Sequence, residues 1–159
     1  MGMGWVGVAG LVVLLPARGL VAQQPARAET YADRLVREAV ARHPEALEAV
    51  ELALVTGSGC RTVSATHRED VGEKCDADEN GPMRTGRPDV EAPSKADPVY
   101  DITQALHDAS GKLIGAVGMD IKPQPGEDRE AVVAFARAVR AELEARIPSK
   151  AKLLERAAP

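Results

Sequence analysis

The sequence predicts an α+β domain with a central antiparallel sheet of four to five strands, helices on the N-terminal side of it and one helix after it. Three observations carry this. From Thr30 onward apolar residues recur at helical spacing among charged ones. Residues 99–107 and 112–121 are two apolar stretches joined by the turn Asp108-Ala109-Ser110-Gly111, a hairpin pattern. Residues 128–147 carry a pronounced amphipathic helical pattern, with Val132, Phe135, Ala136, Val139 and Leu143 on one side.

Taken in order, Thr30 is placed to cap a first helix in which Tyr31, Leu35, Ala39 and Val40 alternate with Asp33, Arg34, Arg37 and Glu38. His43-Pro44 interrupts it, because a residue before proline is pushed away from helical angles, and Pro44 suits the first turn of a second helix. Leu47, Val50 and Leu54 carry that second helix to Gly57-Ser58-Gly59, where glycines stop it. Residues 60–66 are β-branched and small and read as a strand. The polar stretch 67–87 has Gly72 and Gly86 at turns and a short helix over 76–83, followed by a brief strand over 89–92 and a proline-bounded loop. In the second hairpin strand Leu113, Val117, Met119 and Ile121 share one face, while Ile114, Ala116 and Asp120 lie opposite beside Gly118. Pro148 ends the last helix and leaves a charged tail, 148–159.

Residues 5–15 form an apolar run too short to span a hydrocarbon core of about 30 Å as a helix. They fit the core of an export signal ending near Leu20-Val21-Ala22. The expected organisation is therefore a signal peptide over 1–22, a flexible start over 23–29, one domain over 30–147 and the tail, with a periplasmic or secreted location. The 20 Lys and Arg against 24 Asp and Glu leave the chain mildly acidic, which argues against a phosphate-backbone binder and so against nucleic acid as a partner. Aromatic residues are too few for base-stacking platforms or an aromatic cage.

Cys60 and Cys75 are the only cysteines. In an exported chain an even count at modest spacing reads as a disulfide, and closing a loop of about 15 residues stabilises by roughly 3 kcal/mol. Two buried free thiols are the alternative, and a metal site with His67 and Asp76 a third reading, weakened by the lack of a CxxC pair.

Several motifs together resemble a known family. These are the Gly-initiated strand, Asp70-Val71-Gly72-Glu73-Lys74, Thr85-Gly86-Arg87-Pro88, Tyr100-Asp101-Ile102-Thr103, and Asp108-Ala109-Ser110-Gly111-Lys112-Leu113-Ile114-Gly115-Ala116-Val117-Gly118-Met119-Asp120-Ile121. In this order they resemble the extracytoplasmic Cache domains, PAS-like sensor modules of bacterial receptors, over residues 30–147. The resemblance implies a curved antiparallel sheet with helices on one side and a small-molecule pocket between sheet and covering loops. It also implies that Asp120 stands where amino-acid-sensing members hold a ligand ammonium. The Tyr and Arg-x-Trp pattern of that subgroup is missing before the hairpin, so the implied ligand is a small organic molecule of open identity.

Three side chains are candidate ligand contacts. Asp120 can accept charge-assisted hydrogen bonds from a cation or pair with an arginine at a strand end. Tyr100 offers a ring and a hydroxyl, or core packing. Arg61 can hold a carboxylate bidentately, or guard a sheet edge. No catalytic residues, metal ligands or cofactor are expected. His43, His67 and His107 are scattered without an HExxH spacing, Ser64 lacks a Gly-x-Ser-x-Gly elbow, and Gly57-Ser58-Gly59 does not open a helix as a phosphate cradle does. The expected function is an exported Cache-like sensor or accessory binding domain acting through a separate membrane receptor, kinase or transporter, with a homodimer through the stripe Tyr31, Leu35 and Val40. The alternative is a structural or envelope-associated protein without a working pocket, and a small hydrolase or thiol redox enzyme comes third.

Overall fold

A computed structural model describes residues 27–157, so the expected leader over 1–22 lies outside the described residues. Helix α1 (Tyr31–Arg42) leads into strands β1 (Leu47–Thr56) and β2 (Gly59–Ala65), a 3-10 turn (Arg68–Asp70) and helix α2 (Ala77–Thr85). Strands β3 (Asp89–Glu91), β4 (Tyr100–His107) and β5 (Leu113–Ile121) follow, then helices α3 (Arg129–Glu144) and α4 (Lys150–Leu154). The strands form one antiparallel sheet in the order β2-β1-β5-β4-β3. Among the described residues no helix is long and apolar enough to cross a membrane.

Alternation along the strands gives the sheet two unlike faces. One carries Val50, Leu52, Leu54, Ile102, Leu106, Val117, Met119 and Ile121, all buried beneath α1 and α3. Each such side chain contributes roughly 1.5–3 kcal/mol by leaving water. The other face carries Ala49, Glu51, Thr103, Gly118, Asp101 and Asp120, and α2 packs over its β4–β5 region. A layer of helices thus seals one side, and a single short helix roofs the other.

The structure corrects the second helix expected from Pro44 to the glycines at 57 and 59, most of which is strand β1. Leu47, Val50 and Leu54 fit a helical stripe, but Val50, Leu52 and Leu54 fit a two-residue period equally well. β1 is hydrogen-bonded to neighbours on both sides, and such a central strand reads as a continuous apolar run. Pairing along two edges overrides the modest helical preference of Leu, Ala and Glu. Gly57-Ser58 accordingly turns a hairpin between Thr56 and Gly59, and Gly59 takes the left-handed backbone (φ 110°) open to glycine. The Asp108 turn forms as expected: its carboxylate accepts from the Ser110 and Lys112 amides, and Gly111 sits at φ 82°.

Leu113 was expected to share one face of β5 with Val117, Met119 and Ile121, which are buried. It is 42% exposed, because the β4–β5 register slips between Leu106 and His107 and turns Ile114 inward instead. Beside that slip, Gly115 is pressed so closely against β1 that an added Cβ would stand 1.8 Å from the Ala53 carbonyl oxygen.

The charged tail expected over 148–159 contains a docked helix. Ser149 caps α4, Leu153 is fully buried, and the chain then runs beside the start of α1, with Tyr31 N donating to Glu155 O and Ala157 N to Glu29 O, both at 2.8 Å. Of the start expected to be flexible, 23–29, Arg27 is tethered: its guanidinium donates to both Asp33 carboxylate oxygens at 2.8 and 2.9 Å. The stripe expected to pair two copies faces inward. Leu35 is fully buried, Val40 packs on the core, and the Tyr31 hydroxyl donates to Arg146 O at 2.8 Å.

Asp33 ties α1 to the sheet. Burial alone would raise its pKa, but hydrogen bonds from the Thr30 amide and hydroxyl, the Ser64 hydroxyl and the Arg27 guanidinium hold it below the usual carboxylate range.

Candidate functional site

Between the small-residue face of the sheet and its roof lies a cavity of about 220 Å³. Its floor comes from Ala49, Glu51, Thr103, Gly118, Asp101 and Asp120, and its walls from Thr66, His67, Asp70 and the start of α2. The floor is open because of what stands on it. Ala49 and Gly118 bring almost no side-chain volume, whereas the same strands fill the opposite face with Leu, Ile and Met.

The roof is fixed covalently. Cys60, at the start of β2, is disulfide-bonded to Cys75, just before α2, with the Cα atoms 5.3 Å apart. The segment leading to the bridge pairs with β2: Thr62 N donates to Glu73 O at 3.0 Å, and Gly72 N to Thr62 O at 2.9 Å. Asp76 then caps α2, its side chain accepting from the Asp78 amide at 2.9 Å while Glu79 reaches back to the Asp76 amide at 2.8 Å. This reciprocal box sets two carboxylates at the cavity rim and leaves Asp78 beside them. Gly86, at φ 70°, ends the helix.

The lining is strongly acidic. Seven carboxylates border the space, from Glu51, Asp70, Asp76, Asp78, Glu79, Asp101 and Asp120, with His67 the one basic side chain and no Lys, Arg or aromatic residue among them. None of the seven forms an ion pair among the described residues, whose ion pairs lie elsewhere. The electrostatic consequences are consistent. Burial, then the charges of Asp120 and Glu91, push Asp101 up to about 6. Burial also raises Asp120, with Asp97 adding to the rise and His67 opposing it. Glu51 is raised by burial despite accepting a hydrogen bond from the Thr62 hydroxyl. Asp78 is raised by burial and by Asp76, and Glu79 chiefly by burial. A site in which several carboxylates resist ionising together favours an incoming cation, which relieves both the desolvation and the mutual repulsion.

Of the three ligand-contacting side chains expected from the sequence, the cavity takes one. Asp120 faces it, and no arginine pairs with it. Tyr100 sits on the opposite face of β4 and packs against the main core. Arg61 lies at the β2 edge, where its guanidinium donates to Gly72 O at 2.8 Å and so braces the segment before the disulfide. Glu51 escaped notice because β1 read as a helix. Asp101 escaped because an even count back from the Asp108 turn sets it against Gly118, and only the observed register, slipped between Leu106 and His107, brings Asp120 opposite it; the run Asp76-Ala77-Asp78-Glu79 was legible as a capping signal without showing what it would face.

No protein-family model matches the chain, and no curated protein matches it. Solved structures similar to the chain include two sensor or regulator proteins. One is the repressor BlcR of Agobacterium tumefaciens, with a TM-score of 0.51 and 11% identity over 75% of this chain and 68% of that one. The other is the GAF domain of a two-component sensor histidine kinase from Bacillus halodurans, with a TM-score of 0.52 and 9% identity over 72% of this chain and 92% of that one. At such identities the likeness is one of fold, and the resemblance to Cache domains narrows to the architecture they share. The chain has a PAS/GAF-like fold, with its acidic cavity beneath the roofing helix.

Proposed function

We propose that this chain is a sensor-type binding domain that works outside the cytosol. It takes a small, positively charged organic molecule into the cavity beneath α2 and passes the occupied state to a separate membrane receptor, kinase or transporter. One observation carries the reading: a roofed cavity in a PAS/GAF-like domain is bordered by seven carboxylates with no cationic side chain paired to them. Such a field concentrates cations, and its low-dielectric walls strengthen each contact with an ammonium group. The disulfide accords with an oxidising compartment. The GAF domain of a sensor kinase among the similar folds accords with a role in signalling.

The test is a thermal-shift panel of amines, amino acids, carboxylates and purines on the whole protein. The expected result is a saturable rise in Tm with amines that Asp120→Ala removes. A flat response across the panel favours the alternative of an envelope-associated protein that keeps the fold without using the cavity. Cell fractionation with a cytosolic marker tests the location.

A further inference from the structure

The acidic side chains are ordered as well as numerous. Two rows run in register across the sheet, perpendicular to the strands. Glu51 on β1 pairs with Gly118 on β5, Gly118 with Thr103 on β4, and Thr103 with Asp89 on β3. In the adjacent row Asp120 on β5 pairs with Asp101 on β4, and Asp101 with Glu91 on β3. All of these residues point to the α2 side. At about 4.8 Å per strand the second row spans about 10 Å from β5 to β3, and the first about 14 Å from β1 to β3. The main cavity covers the β1–β5–β4 part, and a side chamber of about 40 Å³, bordered by Asp89 and Glu91, continues it toward β3. Asp78, Asp101 and Thr103 border both spaces.

Thr103 marks the junction. It is 6% exposed, and its hydroxyl stands over Gly118, 3.7 Å from where a Cβ there would lie. Among the described residues that hydroxyl has no hydrogen-bond partner, and it opens into the cavity, where an entering donor can reach it. The carboxylates are strung out rather than gathered: among the described residues no three His, Cys, Asp or Glu side chains are grouped so that they could hold a metal ion. The charge to be matched is therefore extended in one direction. The lining also excludes other cations. No Phe, Tyr or Trp ring offers a face to a quaternary ammonium, and no Lys or Arg offers a partner to the carboxylate of an amino acid. A main cavity of about 220 Å³ is below the ~300–1,000 Å³ of sites for drug-sized ligands, which suits an unbranched chain.

We infer that the ligand is a linear aliphatic amine with at least two protonated nitrogens, lying across the strands with one ammonium at Asp120 and Glu51, the other at Asp89 and Glu91, and an N–H donated to the Thr103 hydroxyl between them. This rests on the cationic-ligand reading above and narrows it to di- and polyamines.

The test is calorimetric titration of the whole protein with butylamine, putrescine, spermidine and choline. The expected result is that putrescine or spermidine binds at least about ten-fold tighter than butylamine, about 1.4 kcal/mol, and that choline binds no better than butylamine. Asp89→Asn with Glu91→Gln, both at exposed positions, removes that advantage, and Thr103→Val weakens the polyamine several-fold. Equal affinity for butylamine and the polyamines overturns the inference and leaves the cationic-ligand reading standing, as does an advantage that survives the β3 double variant. Tighter binding of choline overturns it too, and failure of every amine overturns both.

Discussion

Asp101 on β4 and Asp120 on β5 stand directly opposite each other on the cavity floor, two carboxylates as cross-strand neighbours where sheets ordinarily avoid like charges. Asp101 holds its proton up to about 6 when folded, against about 3.9 in an unfolded chain. The folded state thus binds more protons in that window, and stability is greatest below the unfolded value and falls as pH rises through the folded one. Asp120 and Glu51, also raised, act in the same direction. Urea denaturation of the ligand-free protein is expected to show about 1 kcal/mol more stability at pH 5 than at pH 7.5, a figure reduced for the partial exposure of the pair. Asp101→Asn flattens the difference. Asp33 and Glu38, held below the usual range, work oppositely, and their contribution is lost only at more acid pH.

Two glycines on β5 are expected to respond in opposite ways to the same substitution. Gly115→Ala drives a methyl into the Ala53 carbonyl, a backbone atom that cannot give way, and should cost about 3 kcal/mol or abolish folding. Gly118→Ala meets nothing nearer than the Thr103 hydroxyl at 3.7 Å and the Glu51 Cβ at 3.8 Å, so the fold should lose less than about 1 kcal/mol. The methyl instead occupies the cavity floor. Chemical denaturation and ligand titration of the two variants, run side by side, separate packing from binding.

Reduction of the Cys60–Cys75 bridge, or the paired Cys→Ser substitution, is expected to remove about 3 kcal/mol from the unfolding free energy, the value for a loop of about 15 residues. Amide exchange gives a more local reading. Protection should fall first at Gly72, Glu73 and Cys75, whose amides bond to the β2 carbonyls or the adjoining turn, and at α2.

Leu153→Ala is expected to cost about 2–4 kcal/mol, as for a fully buried leucine in any core. Thermal unfolding monitored by circular dichroism checks it. A loss near zero would mean that α4 is an ornament on the domain rather than part of it.

The hairpin was legible because its signals agree: alternating apolar strands, a turn with Asp first and Gly last, and no competing helical period. α1 and α3 were legible for the same reason, each with a capping residue and a sustained stripe. β1 was not, since its ten residues satisfy both periods and only the neighbours on either side decide between them. That one ambiguity hid Glu51 and with it half of the first acidic row. The slip at Ile114 leaves no mark in residue type, because nothing distinguishes Leu113 from Ile114 until β4 is laid alongside. α4 offers a single buried leucine in five residues, too little pattern to rise above a charged tail. Asp120 was reachable by motif, whereas its charged surroundings depend on three strands and a helix meeting.

The bridge between Thr30 and Arg156 places the way into this domain beside the way out. A module with neighbouring gateposts can be spliced into a surface loop of a carrier protein without prying that loop apart. The same closeness permits a short linker across the gap and a new opening at the Gly57-Ser58 hairpin tip, giving a rearranged chain with the same sheet.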